Sequence, residues 1–236
     1  TIGTAPVKVD NLIYTGSAQE LVTAGGDVTG GTLQYALGTD STTAPTSDWG
    51  TDIPTKTDVG TYYVWYKVVG DENHTDTNPV CITVDIDTKT DVSAEQKQGE
   101  TLTYDGTAKT PTLEIKDGET EIGTYTVKYV GVEPTVYEES ETAPTDAGNY
   151  KAVITLKGNY SGTKEVPFKI DKKAAAVLTD NQKPTKNNAL EYTSNPIELV
   201  TAPAGTIPAG YTIEYSIDNG TTWTTAIPTA TVAGDY

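Results

Sequence analysis

The sequence contains very few of the residue types on which most disulfide, metal and catalytic sites depend. Its 236 residues include one cysteine, one histidine, one phenylalanine and no methionine. The lone Cys81 cannot form an internal disulfide, which excludes a disulfide-stapled scaffold. The lone His74 argues against a tetrahedral zinc site and against histidine-based nucleophilic catalysis. We therefore predict that the chain is not an enzyme and that it holds no metal site and no cofactor.

Basic residues and long apolar runs are also scarce. Lysine and arginine total 16 against 33 aspartates and glutamates, which gives a formal charge of −17. Such an acidic surface repels phosphate backbones, so nucleic acid is not an expected partner. No apolar run is long enough for a transmembrane helix, so we expect no membrane insertion by this segment. The sequence starts at Thr1 without methionine, and we expect a fragment of a longer protein with its targeting signals elsewhere.

The abundant residues are those of β-sheet proteins. Threonine, valine and tyrosine are dense, whereas helix-favouring blocks of alanine, leucine, glutamate and lysine are scarce. β-Branched and aromatic side chains fit the pleated, half-buried surface of a sheet. The charged fraction is only 21%, and regular apolar alternation argues against disorder. The composition therefore predicts an all-β protein.

Four landmarks recur along the chain and indicate tandem domains. The first is YTGSAQELV, YDGTAKTPTL and YTSNPIELV, whose leading tyrosines, Tyr14, Tyr104 and Tyr192, are 90 and 88 residues apart. An alternating strand (TLQYAL, YTVKYV, YTIEYSI) and a proline segment follow in each copy. A closing strand, PVCITVDI or VPFKI, occurs only twice. We predict domains at 1–87, 88–172 and 173–236, with the last two strands missing from the third.

Turn sequences separate the strands inside each unit. They include residues 70–74 (GDENH), 157–162 (KGNYSG) and 218–222 (DNGTT), the last with an Asn-Gly pair typical of hairpins. Six or seven short strands in about 85 residues predict a β-sandwich in each unit. The acidic linker 85–91 could hold calcium between units, which the sequence leaves open.

A D-x-G-x-Y motif begins the strand that follows each proline segment. It stands in TDVGTYYVWYK and TDAGNYKAVIT, and in part in the terminal TVAGDY, where Val232 replaces the aspartate. The motif resembles the tyrosine corner of immunoglobulin-like sandwiches, in which a tyrosine hydroxyl returns to the backbone a few residues upstream. The resemblance assigns this structural role to Asp58, Gly60, Tyr62, Asp146, Gly148, Tyr150, Gly234 and Tyr236.

The wider sequence resembles the bacterial immunoglobulin-like repeats, of the YDG or MBG type, of Gram-positive surface and secreted proteins. Residues 104–106 spell YDG, and the resemblance covers nearly the whole chain. It implies tandem Ig-like β-sandwich domains that are extracellular and non-catalytic. A β-grasp-like topology, found in other bacterial surface repeats, remains the alternative because one sequence does not order the strands.

The strand after the first D-x-G-x-Y motif has two apolar faces. Comparison of the copies places Tyr62, Val64, Tyr66 and Val68 in the core, which leaves Tyr63 and Trp65 on the outer face. An outward aromatic pair is a candidate platform for a sugar ring or a protein partner. The alternative is that the pair packs under a loop or against the adjacent unit.

Repetition without a catalytic motif favours a structural and adhesive function. We expect a spacer or interaction module of a larger bacterial protein at the cell surface or secreted, with a host glycan or protein as partner. The alternative, suggested by Tyr63 and Trp65, is a carbohydrate-binding accessory module of a secreted glycan-processing protein. A third unit without its last two strands would expose an apolar face and sheet edges, so we also expect self-association through this unit.

Overall fold

The chain is all-β in its computed structural model, which describes residues 1–188 and 190–234. Strands account for about 40% of the residues, and no α-helix occurs in the described part. A short 3₁₀ helix lies at Asp180–Gln182, and no described helix has the length and hydrophobicity to cross a membrane. The prediction of an all-β protein is confirmed. Contacts divide the chain into two compact units, Thr1–Lys172 and Lys173–Tyr236.

Repeat 1, residues 1–87, contains a four-stranded sheet and two small strand pairs. The sheet has the order β2-β8-β7-β5, and β1 pairs with β4 and β3 with β6. The strands are β1 Ile2–Thr4, β2 Leu12–Ile13, β3 Gln19–Glu20, β4 Gly26–Val28, β5 Gly31–Gly38, β6 Thr55–Lys56, β7 Gly60–Gly70 and β8 Val80–Asp87.

Repeat 2, residues 88–172, has a four-stranded sheet of the same order and a three-stranded sheet. The first has the order β10-β15-β14-β13 and the second β12-β11-β9. The strands are β9 Ser93–Gln96, β10 Leu102–Thr103, β11 Leu113–Asp117, β12 Thr120–Glu121, β13 Tyr125–Gly131, β14 Gly148–Leu156 and β15 Thr163–Asp171.

The first and last strands of the two four-stranded sheets pair in the same way. In repeat 1 the short β2 runs parallel to the last strand, with Leu12 opposite Ile86. In repeat 2 the short β10 does the same, with Leu102 opposite Ile170. The tyrosine that follows each short strand donates its amide hydrogen to the aspartate ending the last strand, at 2.9 Å in both repeats. The sequence repeat is therefore a repeat of backbone pairing.

Each repeat has its own hydrophobic core against its four-stranded sheet. In repeat 2, Tyr150, Ala152, Ile154 and Leu156 of β14 are all buried in one cluster. In repeat 1, Val64 is buried and Tyr62 and Tyr66 pack against the core. The predicted inner face is confirmed by these positions, because alternate residues of a strand point to the same side of the sheet.

A backbone bridge that the sequence analysis did not predict occurs in all three copies of the repeat. The last tyrosine of each alternating strand exchanges two hydrogen bonds with a residue further along, at 2.7–3.0 Å. The pairs are Tyr35 with Gly50, Tyr129 with Ser140, and Tyr215 with Thr224. The segment after the alternating strand therefore folds back on it in each copy.

The second unit contains only two-residue strands in its described part. Strand β16, Thr185–Lys186, pairs with β18, Val200–Thr201, and β17, Ile197–Glu198, pairs with β19, Thr229–Ala230. No described residue of this unit is buried. Its exposed apolar side chains include Val177, Tyr192, Ile217, Trp223 and Val232.

Candidate functional site

The two complete D-x-G-x-Y motifs make the same hydrogen bond. The Tyr62 hydroxyl donates to the Asp58 carbonyl oxygen at 2.7 Å, and the Tyr150 hydroxyl donates to the Asp146 carbonyl oxygen at 2.9 Å. Each bond fixes the turn that leads into the strand. Burial and the nearby aspartate raise the pKa of both phenols. Tyr236, the third predicted tyrosine, lies outside the described residues.

Glycine occurs in the two motifs for different structural reasons. A Cβ on Gly148 would approach the Thr135 side chain to 2.7 Å, so the chain passes too close here for any larger residue. A Cβ on Gly60 would meet only the Tyr62 ring, at an ordinary 3.6 Å. Gly234, in the third copy, is exposed. Close packing against Thr135 therefore favours glycine in repeat 2, whereas in repeat 1 the backbone does so, because the φ of 157° at Gly60 is one that residues with a side chain rarely adopt.

The outer aromatic pair of repeat 1 is only partly accessible. Trp65 is 6% exposed, and its indole N–H donates to the Asp40 carbonyl oxygen at 3.2 Å. Gly38 lies against the indole, since a Cβ there would come within 2.5 Å of Nε1. Trp65 therefore packs under a loop, as in the alternative interpretation, and Tyr63 is half-buried. Ligand binding by the pair stays a prediction, with Trp65 offering little surface for stacking.

The loop over Trp65 is held by its own hydrogen bonds. The Asp40 carboxylate accepts the amide hydrogens of Thr42 and Thr43, both at 2.7 Å. These hydrogen bonds, those from the Thr42 amide and hydroxyl most of all, lower the pKa of Asp40 to about 2. On the same face, the ammonium of Lys67 lies 5.0 Å from the centre of the Trp49 ring. The outer face of β7 is therefore a second packed layer.

A group of polar and aromatic contacts joins repeat 2 to repeat 1. The Asn159 side chain accepts the Val59 amide hydrogen at 3.0 Å and donates to the Asp58 carboxylate at 2.9 Å. The ring of Tyr160 meets that of Tyr14 edge to face, with centroids 5.3 Å apart. The loop at 157–162, between β14 and β15, thus contacts the same turn that Tyr62 closes. We call this contact the joint.

The linker between the repeats takes part in the joint. Lys89 donates its amide hydrogen to the Asn159 carbonyl and accepts that of Ser161, at 3.0 and 3.1 Å. Its ammonium lies 2.6 Å from the Asp117 carboxylate, which also accepts the Tyr160 hydroxyl at 3.3 Å. Burial, with contributions from Asp117 and Tyr14, raises the pKa of Tyr160 to about 12. The phenol of Tyr160 is therefore neutral over the physiological range.

No metal-binding cluster is found in the described residues, where no three His, Cys, Asp or Glu side chains come together. In the linker, the Asp85 carboxylate accepts the Thr61 hydroxyl at 2.6 Å. His74 lies 2.5 Å from Asp71 through Nδ1 and is exposed.

The sequence analysis missed the joint because residues 157–162 look like an ordinary hairpin turn. A signal was present in the comparison of repeats. The loop before the last strand contains Asn159-Tyr160-Ser161 in repeat 2 and Asn73-His74-Thr75 in repeat 1. Both triplets have an amide, an aromatic and a hydroxyl side chain in the same order. Comparison with protein families gives no match for this chain, and comparison with curated proteins gives no relative.

Proposed function

We propose that this chain is a non-catalytic, extracellular spacer segment of a larger bacterial surface or secreted protein, built of tandem Ig-like sandwiches. The observation that supports this proposal is the joint, in which the Asn159 side chain of repeat 2 forms hydrogen bonds with Asp58 and Val59 of repeat 1. A spacer must hold a fixed distance between its ends. A polar joint that engages backbone and side chains on both sides restricts bending between the repeats.

The Ig-like sandwich is supported by the two β layers around the core of repeat 2. In repeat 2, Ile115 of the three-stranded sheet packs in one cluster with Ile154 and Phe168 of the four-stranded sheet. Two β layers around a common core are the arrangement of a sandwich, which favours it over a β-grasp-like fold. The Tyr62 and Tyr150 hydrogen bonds add the contact typical of a tyrosine corner. The bacterial surface setting is proposed from the sequence resemblance alone.

Distance measurement between spin labels tests the spacer. Thr32 of β5 and Thr126 of β13 are both exposed, so both become cysteines in a Cys81→Ala background. We expect a single narrow distance distribution, and a broadened one after Asn159→Ala. Asn149→Ala is the matched control, because the Asn149 side chain makes no hydrogen bond within the described residues. A broad distribution without the Asn159 change would contradict a spacer function.

A further inference from the structure

The joint pairs a loop with a surface that we call the socket, formed in repeat 1 by Tyr14, Asp58 and Val59. Its three contacts are distinct in kind. Asp58 accepts through its carboxylate, Val59 donates through its amide, and the ring of Tyr14 packs against Tyr160. The loop supplies the complementary groups from consecutive residues. The socket therefore recognises an asparagine followed by an aromatic residue.

Repeat 2 has the same socket positions, occupied by Tyr104, Asp146 and Ala147. The backbone frame matches, because Tyr104 donates to Asp171 at the same 2.9 Å at which Tyr14 donates to Asp87. The turn at Asp146 is closed by Tyr150 just as the turn at Asp58 is closed by Tyr62. Ala147 is the counterpart of Val59; its side chain is smaller, and its backbone amide remains available as a donor. The second socket is therefore built on the same backbone as the first.

Within the described residues of Thr1–Lys172, none of the contacts made at the first socket is repeated at the second. No described group donates to the Asp146 carboxylate or accepts from the Ala147 amide. Tyr104 is 38% exposed, whereas Tyr14 is half-buried beside Tyr160. A carboxylate, an amide and an aromatic ring thus face outward in an arrangement that binds a loop elsewhere in the same unit.

Repeat 1 has the loop that fits the socket. Residues 71–79 connect β7 to β8, as 157–162 connect β14 to β15. They include Asn73, His74 and Thr75, and the segment 71–78 is exposed throughout. The corner precedes β7 and the loop follows it, and 11 residues of extended strand span about 36 Å. The loop and the socket therefore lie at opposite ends of a repeat. Because repeat 2 contacts the socket end of repeat 1, the loop of repeat 1 cannot reach the socket of repeat 2 in the same molecule.

We propose that the socket at Tyr104, Asp146 and Ala147 binds the 71–79 loop of a second copy of this chain. The Asn73 amide donates to the Asp146 carboxylate and accepts the Ala147 amide hydrogen, and the His74 ring packs against Tyr104. Such a head-to-tail contact uses different surfaces on the two partners, so it extends into open chains instead of closing a dimer. This association goes beyond the spacer function and stands or falls separately from it.

The association is expected to be weak. In the joint, the short linker supplies an effective concentration of about millimolar order, which two separate copies lack. The charge of −17 opposes contact between copies, but at 0.15 M salt it is screened over about 8 Å. Self-association is therefore expected as the protein approaches roughly millimolar concentration.

Sedimentation of the full chain in 0.15 M salt tests the proposal. We expect the average mass to rise with concentration, and either Asn73→Ala or Asp146→Ala to weaken association by about tenfold or more, since charge-assisted hydrogen bonds are lost. Neither side chain makes a hydrogen bond within the described residues, and the Tyr150 bond uses the Asp146 carbonyl, so both variants should fold. Asp146→Asn, which keeps the side chain's size, repeats the test if Asp146→Ala unfolds.

Mixing the two variants separates head-to-tail contact from any other kind. Each variant keeps one intact surface, so an equimolar mixture should form dimers and nothing longer. Asn78→Ala, in the same loop, is the matched control and should associate as the unchanged chain does. A monomer at every concentration, association insensitive to both variants, or no dimer on mixing would each overturn the proposal. If the copies associated through the apolar side chains of the second unit instead, neither Asn73→Ala nor Asp146→Ala would weaken the association.

Discussion

Repeat 2 and the unit at 173–236 begin with similar sequences but bury very different amounts of apolar surface. Repeat 2 buries eleven hydrophobic residues in one cluster, whereas no described residue of the second unit is buried. Seven of the eleven belong to β14 and β15, and residues 173–236 contain no counterpart of these two strands. The comparison shows that the last two strands supply most of the core of a repeat.

The same comparison separates local structure from packing. The Tyr215–Thr224 bridge of the second unit matches Tyr129–Ser140 of repeat 2, although no buried core surrounds it. A hairpin needs only neighbouring sequence, since its register is determined by its turn. A core needs strands that are distant in sequence.

The largest expected difference is in resistance to proteolysis. Cleavage of a folded core requires global opening, whereas segments without buried contacts open locally at little free-energy cost. We expect thermolysin to cleave within 190–234 at least about a hundred times faster than within 1–172. Mass spectrometry of a timed digest locates the cuts. Equal resistance of the two regions would mean that the strands assigned to the repeat are wrong.

The next largest effect is expected from core truncation. Ile154 of β14 is fully buried, so Ile154→Ala should lower the free energy of unfolding by about 2–5 kcal/mol. Ile217 of the second unit is 49% exposed, and Ile217→Ala should change it by less than about 0.5 kcal/mol. Urea unfolding followed by circular dichroism measures both. Similar losses in the two variants would contradict the comparison.

A smaller effect is expected from the tyrosine hydroxyls. Tyr150→Phe removes the hydrogen bond to the Asp146 carbonyl and should cost about 1 kcal/mol. Tyr192, in the second unit, is 70% exposed and its hydroxyl accepts a solvent-exposed hydrogen bond from Ser194, so Tyr192→Phe should change the free energy of unfolding by less than about 0.5 kcal/mol. Thermal and urea unfolding of the two variants give the difference. A Tyr150→Phe protein as stable as the unchanged one would remove the structural role of this bond.

The last effect is absent at neutral pH and appears only under alkaline conditions. The folded pKa of Tyr160, about 12, lies above its ordinary value of 10.0, so the fold favours the neutral phenol. The resulting stability is present below pH 10 and is lost as the pH rises from 10 to 12. The melting temperature of Thr1–Lys172 within the full chain should fall over this range, and less steeply in Tyr160→Phe. Identical slopes in the two proteins would exclude Tyr160 as a contributor.

Much of the fold follows from patterns within about ten residues. Alternation along 62–68 and 150–156 identified the inner face, and the D-x-G-x-Y motif pointed to the Tyr62 and Tyr150 contacts. The burial of Trp65 was not predictable from its strand, because the covering Asp40 loop precedes it by 25 residues and alternation says only which face is opposite the core. The joint was even less predictable from the sequence, since Asn159 and Val59 are 100 residues apart.

By itself, the sequence determined the β character, the repeat spacing and the side of each main strand that faces the core. These depend on side-chain shape and on two-residue periodicity, which act along the chain. The tertiary structure alone decided that β2 and β10 run parallel to the last strands, that Trp65 is covered, and that Asn159 joins the repeats. Such contacts join segments from 25 to 100 residues apart, and only the folded backbone brings their polar groups within hydrogen-bonding distance.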